Sequence, residues 1–289
     1  MPIKESELIL NPDGSVYHLN LKPENIANDI IFVGDQDRVE KITKHFDTVT
    51  FTTQKREFKT QTGVYKGKTL SVISTGIGPD NIDIVLNELD ALVNIDLQTR
   101  KPKPNLTSLN IVRVGTSGSL QKDIPVDSFV LSSHGLDING MLHFYQVKTI
   151  SNPEIENAFI NHTQWNVDKA RPIVINNSKE LEDKFYSNQT FKGITATAGG
   201  FYGPQGRVLR LPLQDANLNS KIDSFYFEGH RISNLEMETS VIYGLSKLLG
   251  HKALSLNAII ANRATGEFSK DPKQVVESLI NYTLNKLIS

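Results

Sequence analysis

The residues best equipped for chemistry fall in four short stretches. Asn234–Ser240, NLEMETS, sets two carboxylates, Glu236 and Glu238, on either side of Met237. Val241, Ile242, Leu245, Leu248 and Leu249 follow at the spacing of one helix face, so both acids stand at a helix mouth. A single Glu there would be explained as a helix cap. Two can divide the work, one meeting a ligand while the other braces the site. A carboxylate only accepts hydrogen bonds, and a sugar diol suits it. In the second stretch, Arg113-Val114-Gly115-Thr116-Ser117-Gly118, an apolar strand carries a guanidinium near its end and then turns through two glycines with two hydroxyls. That set suits an oxyanion, and the Arg fork suits phosphate. It is not a P-loop or a dinucleotide fingerprint, because neither GxxxxGK[ST] nor a GxGxxG after the first strand is present. The third stretch, Gly34-Asp35-Gln36-Asp37-Arg38, is a strand-to-helix turn that could hold an anion on bare N–H groups, with Arg38 adding donors. It equally suits an ordinary turn with a surface arginine. The fourth, Phe201-Tyr202-Gly203-Pro204-Gln205-Gly206-Arg207, joins aromatic faces to one Gln and one Arg. Gln donates and accepts side by side, as the edge of a uracil-like base requires, and Arg207 could stabilise charge on a carbonyl oxygen. A Tyr-Gly-Pro turn with a solvated Arg is the alternative. Arg263, closing the strand Leu254–Ala261, is a signal of the same kind as Arg113.

The elements that must position these groups alternate between strand and helix. Ile30–Val33, Val49–Phe58, Thr60–Tyr65, Leu70–Ser74, Leu109–Val114, Phe129–Ser132, Gly193–Ala198 and Leu254–Ala261 read as strands, and His230–Leu235 leads into the helix after Glu238. Helices are predicted from near Asp37, over Asn81–Val93, after Glu238 and over Val275–Leu287, with helix and loop filling 153–192. Residues 1–15 read as a polar N-terminal extension, and 96–106, DLQTRKPKPNL, as an inserted loop. The alternation predicts one α/β domain over 1–289, a three-layer α/β/α sandwich with a mixed or parallel central sheet covered on both faces. In such sheets ligands gather beyond the carboxyl ends of the strands, where these glycines and arginines fall.

Composition excludes several classes. The chain has 289 residues, a net charge of -1 and no cysteine, so it has no global basic field for nucleic acid and no thiol or disulfide chemistry. No window reaches the ~18–20 apolar residues of a membrane span, and the N-terminal segment lacks a secretory pattern, so a cytoplasmic protein is expected. The seven histidines form no HxxxH or HxH pair, and no metal site is expected.

Taken together, the motifs VYHL (16–19), VGDQDRVEKI (33–42), REF (56–58), STGIG (74–78), RVGTSGSLQ (113–121), LHF (142–144), FYGPQGR (201–207), LEMETS (235–240) and ANRATGE (261–267) resemble the nucleoside phosphorylase superfamily, and within it the uridine phosphorylases, in order and spacing. The resemblance implies a distorted mixed sheet. It implies reversible phosphorolysis of uridine to uracil and ribose 1-phosphate, a pentosyl transfer with inorganic phosphate as co-substrate and no cofactor. It implies phosphate binding by Gly34, Arg38, Arg113 and Thr116, with Arg56 reaching a neighbouring subunit's phosphate. The ribose falls to Met237, Glu238 and Glu236, with His18 reaching the neighbour's 5′-hydroxyl. The base falls to Phe201, Gln205 and Arg207, braced by Arg263. Catalysis is implied for Arg207, Gln205, Glu238 and Arg113. Homo-oligomers built from dimers with shared sites, up to hexamers, are implied as well. Some members hold a monovalent cation through a Glu and a Ser; Glu57 matches the Glu, and Asn81 stands at the Ser. The chain departs from the family pattern at Gln36, at the exchanged Gly203-Pro204, and at Gly206, where an acid is usual. The alternatives are a phosphorylase for another nucleoside (thymidine, deoxyuridine or a purine) and a non-catalytic nucleoside-binding protein.

Overall fold

The computed structural model describes residues 2–289. After an irregular N-terminal arm, β1 (Asp29–Val33) leads into α1 (Gln36–Thr43), and β2 (Thr48–Lys55), β3 (Phe58–Tyr65) and β4 (Lys68–Ser74) form a meander. Next come α2 (Pro79–Asn94), β5 (Ile95–Asp96), β6 (Lys101–Pro102), β7 (Asn110–Ser119) and β8 (Phe129–Asp137). α3 (Pro153–Thr163), β9 (Ile173–Asn176), α4 (Lys179–Phe185) and β10 (Thr190–Thr197) follow. The chain closes with α5 (Leu218–Asp223), β11 (Tyr226–Phe227), β12 (His230–Glu236), α6 (Thr239–Leu249), β13 (Lys252–Asn262), β14 (Glu267–Phe268) and α7 (Pro272–Ile288).

Twelve strands make one mixed sheet, whose main path runs β11-β12-β10-β8-β13-β7-β1-β4-β3-β2. β1 lies parallel to both β4 and β7, and its residues alternate between two cores, as a strand covered on both faces must. Ile30 and Phe32 join α2 and α6, whereas Ile31 and Val33 join α1, α4 and α7. These are the three expected layers. A third cluster packs α3 and α5 on β10 and β12. β12 also pairs antiparallel with the far end of β7, through Leu235↔Gly118 and Asn234↔Ser119. That contact closes β7, β13, β8, β10 and β12 into a ring.

Several expected boundaries are corrected. Gly115–Gly118 are not a turn, because β7 continues to Ser119, paired along its length with β13. β8 runs on to Asp137, and 153–192 contains the additional strand β9. Arg56 does not lie in a strand. It begins the two-residue turn between β2 and β3, at φ 55°. The 96–106 stretch is not a plain loop either. β5 and β6 pair as a hairpin whose Arg100 is tied to the N-terminal arm, with its carbonyl accepting from Ile3 N and its Nη1 donating to Leu8 O. Lys103 is fastened to the last turn of α2. The hairpin thus lies ~24 Å along a 16-residue helix from Gly78.

Candidate active site

Three helix N-termini converge beyond the carboxyl ends of the central strands. α1 starts at Asp35 after β1, α2 at Gly78 after β4, and α6 at Glu238 after β12. Each brings the positive end of a helix dipole to that edge. Between them lies a cavity of about 290 Å³, lined among others by Gly34, Arg38, Arg113, Thr116, Phe201, Gln205, Arg207, Glu236, Met237 and Glu238. Four stretches separated by up to 200 residues of sequence therefore meet in one space.

Arg113 and the two acids form its centre. Arg113 Nη2 donates to Glu238 Oε2 at 2.5 Å and lies 3.3 Å from Glu236 Oε2, while Nη1 donates to Asn257 Oδ1 at 2.9 Å. All three charged groups are buried. Gly115 makes the arrangement possible, since a Cβ there would overlap the Arg113 guanidinium. The carboxylates raise the pKa of Arg113 against the opposing effect of its burial. Burial pushes the Glu238 carboxyl up, and Arg113 pulls it back. The two acids are engaged differently. Glu236 accepts the N–H groups of Glu238 (2.9 Å) and Thr239 (3.0 Å) and the hydroxyl of Thr197 (2.8 Å), so it caps α6 from the strand side. Glu238 accepts only Gly78 N–H, at 2.8 Å, besides Arg113.

The anionic end is built around Arg38. Its Nη1 reaches Val114 O at 3.3 Å, but its buried Nε has no partner. Burial and the charge of Arg113 both lower its pKa, which is the signature of a cation short of counter-charge. Thr116, two residues along β7 from Val114, also lines the cavity. Further along β7, where Gly118 packs against Arg263, Arg207 Nη1 donates to Gln205 Oε1 (2.6 Å) and Phe201 O (2.7 Å), and its guanidinium lies 3.9 Å from the Phe201 ring centroid. Arg263 Nη1 donates to Gln205 O at 2.7 Å and so fastens the loop that carries the buried Gln205. Gly206 sits at φ 68° with Asn219 packed against it, leaving no space for a side chain.

Two expected residues stand apart from this cavity. Arg56 is exposed at its hairpin tip. His18 Nδ1 bonds Glu88 Oε1 at 2.7 Å, and Glu88 also accepts the N–H groups of His18 and Leu19. Glu57 and Asn81 meet around Gly76, with Asn81 Nδ2 donating to Ile77 O. Among the described residues no cluster of three or more His, Cys, Asp or Glu could hold a metal, and no helix is long and apolar enough to cross a membrane. The sequence reading missed the Gly78 N–H, Thr197 and Asn257. Only Asn257 carried a signal, as a polar residue in an apolar strand.

The family model described as Phosphorylase superfamily matches residues 29–286. The chain is 28% identical over 267 residues to a uridine phosphorylase of Thermococcus kodakarensis, covering 89% of this chain and 81% of that one. It is 27% identical over 252 residues to a purine nucleoside phosphorylase of the DeoD type from Listeria welshimeri, covering 86% and 88%. Among solved structures it is similar to a nucleoside phosphorylase of Trypanosoma brucei described as having uridine phosphorylase activity, at 28% identity and a TM-score of 0.87, covering 97% and 99% of the two chains.

Proposed function

Because the chain belongs to the phosphorylase superfamily, we propose that it cleaves uridine with inorganic phosphate, giving uracil and ribose 1-phosphate. One observation carries this reading. A single cavity holds a cationic end at Arg38, a carboxylate pair in the middle, and an amide–guanidinium pair at the far end. That order is phosphate, ribose, pyrimidine.

In the reaction the glycosidic C–N bond breaks through an oxocarbenium-like state while a phosphate oxygen bonds the anomeric carbon from the opposite face. No side chain attacks. Arg38, Thr116, Gly34 and the free donors of Arg113 position the phosphate, and positioning supplies a large share of the rate. Glu238, whose two protein partners leave acceptor sites open, takes the ribose hydroxyls beside Met237. Glu236 serves the same subsite by holding α6 and Arg113. Arg207 and Gln205 take up the charge on the leaving uracil, which then gains a proton. Phe201 packs on the base, and Arg263 keeps the loop in place.

Pyrimidine preference is supported at Asn262. The family resemblance implies an acid at this strand end in purine-cleaving members. Here the Asn262 amide is spent on Gln121 O, Ile124 O and the N–H groups of Ala264 and Thr265, and the neighbours lining the cavity are Ile260 and Ala261. We assign Arg56 and His18 to the site of an adjacent copy in a dimer unit, with a hexamer of such dimers as the assembly. The left-handed backbone of Arg56, costly for a residue with a side chain, fits a tip held for that task. The test is ultraviolet absorbance of purified protein with uridine, with and without phosphate. Phosphate-dependent loss of uridine is the expected result. Turnover without phosphate would mean hydrolysis and would overturn the role given to the arginines. Turnover of inosine in place of uridine would overturn the roles of Gln205 and Arg207.

A further inference from the structure

Between Ala253 and Ala261, β13 is apolar except at Ser255 and Asn257, and Asn257 is fully buried at its centre. Asn is a poor strand former, and a buried amide is costly unless its hydrogen bonds are made. Asn257 Oδ1 faces Arg113 Nη1 at 2.9 Å, and its Nδ2 points to Ser132 Oγ and Ser255 Oγ at 3.4 Å each. The amide cannot be reversed, because its NH2 would then confront a guanidinium that only donates. From Ser132 a hydrogen-bonded chain continues through Thr195 and Asn234 to Ser117 at the cavity wall. One polar side chain from each strand of the closed ring takes part.

We infer that Asn257 is a positioning residue for the phosphate end of the site. It fixes the rotation of the Arg113 guanidinium by holding Nη1 while Glu236 and Glu238 hold Nη2. An arginine has five N–H donors, and these three partners leave two for an incoming oxyanion. With Nη2 held alone, the guanidinium can swing about the carboxylate pair, and the free donors lose their aim. Gly115, opposite Asn257 in the register, keeps the space in which the guanidinium lies. The neutral amide holds the arginine without adding a third negative charge beside bound phosphate. The inference deepens the phosphorylase reading and rests on it.

The experiment compares wild type, Asn257→Ala and Asn257→Ser. Serine keeps a hydroxyl for Ser132 and Ser255 but is too short to reach Arg113, so it remains usable if the alanine variant does not fold. Inorganic phosphate and uracil affinities are measured separately by calorimetry, alongside steady-state kinetics with uridine. The folded variants should lose about 10- to 100-fold in phosphate affinity and in kcat/KM for phosphate, the range seen when supporting contacts or reactant positions are disturbed. Uracil affinity, which depends on Gln205 and Arg207, should stay within about twofold. Equal losses for both ligands would indicate a general structural role and overturn the inference. Unchanged phosphate affinity and kcat in folded Asn257→Ser would overturn it too. Wild-type protein that neither binds phosphate nor consumes uridine would overturn the functional reading, and this inference with it.

Discussion

Replacing Arg207 by alanine tests the chemistry directly. In the free protein two of its donors are spent on Gln205 Oε1 and Phe201 O, and the guanidinium rests on the Phe201 ring. Three donors remain for a ligand. Uracil leaves with negative charge spread over its ring and carbonyl oxygens, so a charged donor beside it gains strength as the bond breaks. Loss of one such donor elsewhere costs about 2.7–4 kcal/mol, or 10²- to 10³-fold in kcat. Arg207 is partly solvated, which weakens the interaction and points to the lower end, about 10²-fold or about 2.7 kcal/mol. Some of that loss would come through Gln205, which also loses its Arg207 partner. Arg207→Lys separates the two effects, since it keeps the charge and gives up the fork. The assay is the initial rate of uridine phosphorolysis at saturating phosphate over a range of uridine concentrations. The lysine variant should recover part of kcat. An alanine variant with kcat intact and only KM raised would refute the reasoning, because Arg207 would then be binding ground state and transition state alike.

Other outcomes follow from the same geometry. Gly115→Ala would force the Arg113 guanidinium out of its place, and we expect at least a tenfold loss of kcat/KM for phosphate at a stability cost of about 1–3 kcal/mol, read by kinetics and thermal denaturation. Separately inactive Arg56→Ala and Glu238→Ala proteins, mixed and reassembled, should regain partial activity; none in verified mixed oligomers would count against a shared site. His134, which does not line the cavity, has its pKa pushed from 6.5 down to about 4 by burial and by the neighbouring His230. The folded protein therefore takes this proton later than the unfolded chain. Its contribution is complete above pH 6.5 and falls away as pH drops toward 4, by up to about 3 kcal/mol. His134→Gln should flatten the dependence of Tm on pH in that window, and an unchanged slope would remove His134 as its source.

Much of the molecule was legible from local pattern. The alternation of strand and helix, the strand-turn-helix entry at Gly34, and the helix after Glu238 are set by apolar spacing and glycine placement over a few residues, and these came through with small changes of boundary. The cavity residues were legible as types, since Arg near strand ends and paired carboxylates at a helix mouth have few structural uses. What sequence could not assign was partnership. Arg113 meets Glu238 across 125 residues and Asn257 across 144. Those contacts exist because β7 lies between β1 and β13 in one register and because β12 closes the ring at Gly118. The same distance in space explains the errors. The RVGTSG glycines looked like a turn because glycine usually marks one, whereas here Gly115 makes room for a guanidinium from its own strand. Arg56 looked like part of a strand because only its backbone angle marks the turn. Residue type and local spacing thus determined which groups could act. Sheet register and closure, set by contacts far apart in sequence, decided which carboxylate is left with open acceptor sites and which holds the helix.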